Sequence, residues 1–218
     1  MPPQALIFDF NGVLVDDEPV HFRLFRDILA RQGQPLTETD YFGRYFVYDD
    51  AGVFAAVLAD RGHPQPPERI EALRQEKARL YAAVPSTDFH YFEGAEDLAR
   101  DASRSLPLAI ASGARRAEVL RHLEARGLAG IFRIVVSIDD VSKGKPDPEP
   151  FLEAARQLRV PPASCIAIED SPGGIQAARA AGMKVIGVCH TVPADRLPAD
   201  IVLQRLDGVR WADLARRL

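Results

Sequence analysis

A carboxylate and an amide lie two residues apart near the start of the chain, in the stretch Phe8-Asp9-Phe10-Asn11-Gly12. Asp9 directly follows an apolar run, residues 5–8, that has the length and composition of a short buried strand. A second carboxylate at position 11 would complete a pair able to do acid/base work. Asn11 has nearly the shape of that carboxylate but does not titrate near neutral pH. The spacing therefore predicts a reactive Asp9 beside a residue that cannot exchange a proton.

Other polar side chains follow later apolar runs in the same way. Ser112-Gly113 follows the second run, Lys143 and Lys145 lie beyond the third, and Glu169-Asp170 follows the fourth. Taken singly, these residues have ordinary explanations as turn residues, helix caps or solvated surface groups. In an open α/β sheet, however, ligands bind beyond the carboxyl ends of the strands. We therefore expect a carboxylate, a hydroxyl, an ammonium group and an acidic pair to meet at one edge of a sheet.

Six apolar, β-branched runs supply the strands of that sheet. They are near-continuous rather than alternating, which favours strands buried on both faces of a parallel sheet. Helical patterns separate them over residues 118–125, 151–158 and 174–181. This alternation predicts an α/β fold, a doubly wound parallel sheet with a Rossmann-like core. The runs are residues 5–8, 106–111, 133–136, 165–168 and 184–188, with a weaker one at 200–203.

The interval between the first two strands is too long for a simple crossover, which needs only a dozen or so residues. It carries amphipathic helical patterns instead of strands, such as Ile70, Leu73, Lys77 and Leu80. We interpret it as an inserted α-helical cap domain of residues 17–88, with residues 1–16 and 89–218 forming the core domain.

Composition narrows the function classes. The 218-residue chain is 47% hydrophobic, enough for a packed core, and its net charge of −4 disfavours nucleic-acid binding. No apolar run reaches the length of a membrane span, and the start of the chain lacks the pattern of a signal peptide. Cys165 and Cys189 are expected to be reduced thiols in a cytoplasmic protein. The oligomeric state is open.

Four segments in this order carry a family resemblance: FDFNGVLVD, IASG, GKPDPEPF and IEDSPGGI. Together they resemble the haloacid dehalogenase-like (HAD) hydrolase superfamily, in the branch with a helical cap after the first motif. That branch includes β-phosphoglucomutase and many small-metabolite phosphatases. The resemblance extends over essentially the whole chain.

The resemblance implies a role for each matching residue. Asp9 would attack phosphorus and become an aspartyl phosphate, Ser112 and backbone N–H groups after Gly113 would bind the phosphoryl oxygens, and Lys145 would bridge Asp9 and the phosphoryl group. Mg²⁺ would be held by Asp9, the backbone carbonyl of Asn11 and Asp170, with Glu169 supporting the acidic site. These roles suit phosphoryl transfer, which needs positioning and cations against developing charge, and they suit the preference of Mg²⁺ for oxygen ligands.

Asn11 departs from the family pattern, in which a second aspartate acts as the general acid and base. Such catalysis contributes roughly a hundred- to ten-thousand-fold. Four hypotheses remain open: a substitute group among Asp16, Asp17, Glu18 and His21; a slow or specialised phosphotransfer enzyme; a sensor of phosphorylated ligands; or an asparagine introduced to trap a complex.

Within the family, a metal-free dehalogenase is disfavoured because it would have no use for Glu169-Asp170. A β-phosphoglucomutase-like mutase is the second choice, since the matching stretch Phe46-Val47-Tyr48-Asp49-Asp50 places an acidic residue where the mutase has a phosphate-binding arginine. His21 matches a hinge histidine of the mutase, and Tyr45 and Tyr48 belong to an aromatic group that could close over a ligand. The sequence thus predicts a Mg²⁺-dependent phosphatase for a small phosphorylated metabolite, with a mutase or a weakly catalytic phospho-ligand-binding protein as alternatives.

Overall fold

The computed structural model describes residues 2–46 and 48–218. Val47, which belongs to the cap segment compared above with the mutase, lies outside the described residues. The chain divides into two compact units. One comprises the chain up to Asp16 together with His90–Leu218, and the other comprises Asp17–Phe89.

The first unit is built on a six-stranded parallel sheet, which confirms the predicted fold class. The strands are β1 Ala5–Phe8, β4 Leu108–Ala111, β5 Phe132–Val136, β6 Cys165–Glu169, β7 Lys184–Val188 and β8 Ile201–Leu203. Their order is β5-β4-β1-β6-β7-β8, with β1 at the centre. In register, Phe8 lies opposite Ile110 on one side and Ile168 on the other. The three central strands therefore end at the same edge, and the polar residues that follow them start from neighbouring positions.

Helices connect these strands and cover the sheet. Phe151 and Ile175, from two of the helices, are fully buried in one apolar cluster with the strand residues Ile7 and Ala167. Burying such a side chain contributes about 1.5–3 kcal/mol, so the sheet face is held firmly against the helices. The helices of this unit are α5 Ala95–Ala102, α6 Arg116–Ala125, α7 Glu149–Leu158, α8 Pro172–Ala180 and α9 Trp211–Ala215.

A small antiparallel pair also belongs to the first unit. β2 (Val15–Asp16) pairs with β3 (His90–Tyr91), so the two segments that leave and re-enter the unit lie side by side. Asn11 forms an isolated bridge to Val15 just before this pair. Strands of two residues have no readable hydrophobic period, which explains why the sequence pattern did not predict them.

The second unit contains helices and loops but no strand over its described residues. It comprises α1 (Glu18–Arg31), the short α2 (Glu38–Asp40), a π-helical turn (Tyr41–Tyr45), α3 (Asp50–Asp60) and α4 (Pro67–Ala83). Asp49 caps α3 by accepting the Gly52 N–H at 2.8 Å. The apolar core of this second unit includes Phe25, Ile28, Phe54 and Leu73, all at most 1% exposed. Within residues 2–46 and 48–218, no helix combines the length and hydrophobicity needed to cross a bilayer.

Candidate active site

A buried ammonium group joins two carboxylates at the carboxyl ends of the central strands. Lys145 Nζ donates to Asp9 Oδ1 at 2.7 Å and to Glu169 Oε1 at 2.6 Å. Asp9 follows β1 and Glu169 ends β6, so the parallel register of these two strands sets the distance between the carboxylates. Asp9 lies 136 positions and Glu169 lies 24 positions from Lys145 in the sequence, so only the fold brings the three residues together.

The loop between β5 and α7 fixes the position of Lys145. Glu149, at the start of α7, accepts the N–H groups of Ser142 and Lys143, both at 2.9 Å. The buried ring of Phe151 lies 4.8 Å from Lys145 Nζ. Lys143 instead points to solvent, with 72% of its side chain exposed, and pairs only loosely with Asp147 at 3.8 Å. The loop thus brings Lys145, and not Lys143, to the acidic site.

Burial controls the protonation of these groups. The pKa of Asp9 is raised to about 7, and burial is the largest cause. The positive charge of Lys145 opposes this rise, and the negative charge of Glu169 adds to it. Burial and then repulsion from Asp9 and Glu169 raise the pKa of Asp170 well above its ordinary value. Burial lowers the pKa of Lys145, but the attraction of Asp9 and Glu169 outweighs it and raises that pKa overall. Lys145 is therefore a fixed cation, and the acidic groups favour any further positive charge.

The turn after Asp9 packs directly against Asp170. Gly12 has a φ of +79°, and a Cβ at this position would lie 2.0 Å from Asp170 Oδ2. Both the backbone conformation and the close approach therefore require glycine. Asn11, next to it, is partly buried, and its side-chain oxygen accepts a long hydrogen bond of 3.4 Å from Ser112 Oγ.

Ser112 lies at the end of β4 and is 1% exposed. Its Oγ accepts the N–H of Ala114 at 3.0 Å. The next two N–H groups, of Arg115 and Arg116, donate to the carboxylates of Glu118 and Asp139. These three N–H groups therefore have protein acceptors in this structure, and the expectation that N–H groups at the start of this helix assist phosphate binding stays a prediction. Gly113, between Ser112 and Ala114, is exposed.

Three carboxylates could hold a metal ion. Asp9, Glu169 and Asp170 are all buried, and one oxygen atom of each lies within 4.8 Å of the others. This donor set, made of hard oxygen atoms, fits Mg²⁺. Glu169 uses one oxygen for Lys145, and its other oxygen accepts the N–H groups of Asp170 and Ser171 and the Ser171 hydroxyl. Asp9 and Asp170 are thus better placed to bind a cation, while Glu169 orients the groups around them.

The cap residues predicted from sequence fall into two environments. Tyr45 is 4% exposed within the cap core, and its hydroxyl donates to Asp60 at 2.9 Å, so its ring is not available to a ligand. Tyr48 is 52% exposed. His21 is partly buried, with Nε2 3.0 Å from Asp17 Oδ2 and Nδ1 2.5 Å from Lys77 Nζ. Burial lowers the pKa of His21, but Asp17 outweighs this effect and raises it overall.

Sequence reasoning overlooked two residues next to the acidic site. His190 Nδ1 lies 2.8 Å from the Gly12 carbonyl oxygen, and Thr191 Oγ1 lies 2.5 Å from Asp170 Oδ2. Both follow β7, which ends at the same edge of the sheet as β6. The rule that located Asp9, Ser112 and Glu169 would have found them if it had been applied to this strand as well.

A family model described as haloacid dehalogenase-like hydrolase matches residues 6–188. The phosphorylated carbohydrates phosphatase of Thermotoga maritima is 30% identical over 190 residues, which cover 87% of this chain and 87% of that protein. The fructose-1-phosphate phosphatase of Escherichia coli is 32% identical over 190 residues, 84% of this chain and 95% of that protein.

A solved structure is also similar over nearly the whole chain. It is a mutant form of CbbY from Rhodobacter sphaeroides in complex with xylulose-(1,5)bisphosphate. Its sequence is 27% identical and its TM-score is 0.79, with 97% of this chain and 99% of that chain covered.

Proposed function

Because the chain belongs to the haloacid dehalogenase-like hydrolase family, we propose that it is a Mg²⁺-dependent phosphatase that acts on a small phosphorylated metabolite through phosphorylated Asp9. The observation that carries this proposal is the bridge of Lys145 between Asp9 and Glu169 in a buried acidic site. The named phosphatase activities of the two relatives described above support it. Asn11 makes the second half of the reaction the slow half.

Each residue has a distinct part in this proposal. Asp9, Asp170 and the backbone carbonyl of Asn11 would hold Mg²⁺, which supplies positive charge against the phosphoryl oxygens. Lys145 adds a second, fixed cation beside Asp9, and the Ser112 hydroxyl orients the phosphoryl group. These groups favour the charge distribution of a transferring phosphoryl group without exchanging a proton.

In the first step, the Asp9 carboxylate attacks phosphorus and the bond from phosphorus to the leaving oxygen breaks. The leaving oxygen needs a proton, and Asn11 has none to give. In the second step, water attacks phosphorus, the bond to Asp9 breaks, and phosphate and a proton are released. Asn11 cannot accept that proton either. Substrates with a good leaving group should therefore phosphorylate Asp9 readily, and the phosphorylated protein should accumulate.

Three of the residues considered as substitutes for the missing acid/base group are held inside the cap. Asp17 accepts the Tyr81 hydroxyl at 2.7 Å and pairs with His21. Glu18 accepts the Tyr41 hydroxyl, and His21 pairs with Lys77. Asp16 lies in β2, opposite His90. Proton exchange by Asp17, Glu18 or His21 would break these bonds. We therefore infer that none of these three replaces the missing acid/base group, and that the chain hydrolyses its phosphorylated form slowly. For His21 and Tyr48, we propose a role in selecting the substrate rather than in proton transfer.

The test is an intact-mass measurement after incubation with Mg²⁺ and acetyl phosphate. We expect this chain to gain one phosphoryl group, and Asp9→Ala to gain none. Asn11→Asp should release phosphate without accumulating the intermediate. Lys145→Ala should lose the modification, while Lys143→Ala, the matched control at an exposed lysine, should keep it. Because Asn-Gly pairs can lose ammonia, each preparation is first checked for conversion of Asn11 to a carboxylate.

Other outcomes separate the alternatives. If the chain turns over a phosphorylated substrate but neither it nor Asn11→Asp is ever phosphorylated, the phospho-aspartate mechanism is wrong. If a phosphorylated sugar raises the melting temperature but neither chain reacts, the chain is a phospho-ligand-binding protein. Conversion of one sugar phosphate to its isomer without release of phosphate would identify a mutase.

A further inference from the structure

The loop that follows β7 contacts the Asn11-Gly12 turn. His190 Nδ1 donates to the Gly12 carbonyl oxygen at 2.8 Å. The imidazole ring stacks on Phe92, with ring centroids 3.9 Å apart and an interplanar angle of 12°. The ring is therefore held in one orientation from its face as well as from its edge.

The next residue of the loop contacts Asp170. The Thr191 hydroxyl lies 2.5 Å from Asp170 Oδ2 and 2.9 Å from the Asp170 backbone oxygen. Asp170 in turn packs against Gly12, where a Cβ would meet its carboxylate. Consecutive residues of one loop thus bind the turn after Asp9 and the carboxylate against which that turn packs.

These contacts fix the direction of the Asn11 carbonyl. The Gly12 N–H donates to the Val15 carbonyl at 2.8 Å. Because the peptide between Asn11 and Gly12 is planar and trans, the Asn11 C=O points away from that N–H. The hydrogen bond from His190 to the Gly12 carbonyl oxygen holds the next peptide group, between Gly12 and Val13. With both of its peptide groups bonded, Gly12 cannot rotate without losing a hydrogen bond, so the Asn11 carbonyl keeps its direction.

We propose that His190 and Thr191 are positioning residues that hold the Asn11 carbonyl and the Asp170 carboxylate in the arrangement that binds a divalent cation. The cation site itself rests on the function proposed above. His190 acts on the turn, and Thr191 acts on the Asp170 rotamer. A carbonyl oxygen only accepts hydrogen bonds, so His190 Nδ1 carries its hydrogen whether the ring is neutral or charged. The bond to Gly12 is thus available in both forms of the ring.

Cation binding tests the part played by Thr191. Mn²⁺ affinity is measured by calorimetry on the full chain, without substrate. Partners that orient a metal ligand typically change metal affinity by about 10- to 100-fold. We expect Thr191→Val, which keeps the shape of the side chain and loses the hydroxyl, to weaken Mn²⁺ binding by at least about tenfold. Thr191→Ser keeps the hydroxyl and should restore most of the affinity, which a purely structural role would not explain.

Amide exchange without metal tests the part played by His190. The Gly12 amide keeps its bond to Val15 in His190→Ala, but the turn loses the bond at the Gly12 carbonyl that opposes its opening. Because one ordinary hydrogen bond is lost, we expect hydrogen exchange of the Gly12 amide to be faster by about tenfold. The side-chain amide of His190→Asn occupies nearly the position of Nδ1–H and should restore the protection. His63→Ala, at an exposed cap histidine, is the matched control and should change nothing.

The two experiments separate this proposal from the proposed function. If Gly12 exchange is the same in His190→Ala and the unmodified chain, or Thr191→Val binds Mn²⁺ as the unmodified chain does, the positioning role of that residue is wrong. If the unmodified chain binds no Mn²⁺, the cation site fails, and with it the purpose given to both residues. Loss of Gly12 protection in His190→Ala would then still support its hold on the turn.

Discussion

Lys77 shows how a charged residue can occupy an apolar stripe. Its side chain is 1% exposed, although the sequence places it in the stripe with Ile70 and Leu73 that forms the buried face of α4. Its ammonium group pairs with Asp50 at 2.5 Å and lies 4.4 Å from the centre of the Phe25 ring. A buried cation remains stable only while such partners offset its loss of hydration.

The two partners of this ion pair should respond differently to substitution. Asp50→Ala leaves a buried cation without its carboxylate, so we expect a loss of about 1–3 kcal/mol in the free energy of unfolding. Lys77→Met replaces the cation with an apolar chain of similar volume and leaves a partly exposed Asp50, so the change should stay within about 1 kcal/mol. Urea unfolding measures both.

Asp27→Ala is the control for this comparison, because Asp27 is an exposed cap carboxylate paired with its neighbour Arg26. It should change stability by less than about 1 kcal/mol. A larger loss for Lys77→Met than for Asp50→Ala would show that the packing of the lysine stem, and not its charge balance, is the dominant contribution.

The sequence predicts a residue of the candidate site wherever a polar side chain directly follows a strand. Asp9 and Ser112 were found in this way, and the structure places them at adjacent strand ends. The partners of Glu169 were beyond prediction, because a carboxylate that orients its neighbours and one that binds metal have the same sequence signature. The contacts of His190 and Thr191 depend on how the loop after β7 turns, which no short pattern encodes.

The start of helix α8 is shaped around the Glu169 carboxylate. Ser171 caps the helix by accepting the Gly174 N–H at 3.1 Å, and Pro172 occupies its first turn. The Ser171 hydroxyl also contacts Glu169. Gly174 gives the carboxylate room, since a Cβ there would lie 1.7 Å from Glu169 Oε1.

Adjacent glycines of this helix provide a matched pair of substitutions. Gly174→Ala would push against a buried carboxylate and weaken its bond to Lys145, so we expect a loss of about 2–4 kcal/mol in the free energy of unfolding. A Cβ at Gly173 meets no atom within 4 Å. Gly173→Ala should therefore leave stability unchanged or raise it by up to about 1 kcal/mol.

Thermal unfolding of the two alanine variants, followed by circular dichroism, gives the comparison. Only Gly174→Ala should also weaken phosphorylation of Asp9, because only that substitution reaches Glu169 and Lys145. Equal stability of the two variants would mean that Glu169 can move aside, and that its carboxylate is not a fixed part of the site.

The strands were predicted to within two residues, but the helices begin earlier than their patterns indicate. α6, α7 and α8 begin at Arg116, Glu149 and Pro172, two residues before the predicted starts. The N–H groups of the first turn have no partner within the helix, so polar side chains that accept them, and proline, which lacks an N–H, are common there. The first turn therefore lacks the apolar period that marks the rest of the helix. The β2–β3 pair was missed for the related reason that two residues cannot show a period.

The protein as a whole tolerates a group of buried carboxylates whose mutual repulsion and loss of hydration lower its stability. Asp9, Glu169 and Asp170 are buried together, and Lys145 pairs with the first two. The raised pKa of Asp170 has this cause, burial first and then repulsion from Asp9 and Glu169. A sheet packed on both faces can support such a site, because burial of its apolar side chains offsets the cost locally. If the site holds a cation as proposed, this arrangement exchanges stability of the free protein for cation binding.

If the acidic site binds Mg²⁺, replacing Asp170 should raise the stability of the metal-free protein and reduce the stabilisation that Mg²⁺ provides. Mg²⁺ at a hundred times its dissociation constant should stabilise the chain by about 2.7 kcal/mol, which corresponds to a rise of about 5–10 °C in melting temperature for a chain of this size. Asp170→Asn removes one of the repelling charges. Without Mg²⁺ it should therefore melt higher than the unmodified chain, and addition of Mg²⁺ should raise its melting temperature little.

Calorimetric melting with EDTA and with Mg²⁺ measures both effects, and Asp195→Asn at an exposed carboxylate is the control that should behave as the unmodified chain. If Asp170→Asn is less stable than the unmodified chain without Mg²⁺, the hydrogen bonds that Asp170 accepts outweigh the repulsion it suffers. If its response to Mg²⁺ is also intact, Asp170 does not hold the cation. Asp170→Asn could melt higher than the unmodified chain without Mg²⁺ and also fail to be stabilised by Mg²⁺. That result would show that the carboxylate which lowers stability in the absence of the metal is also the one that binds it.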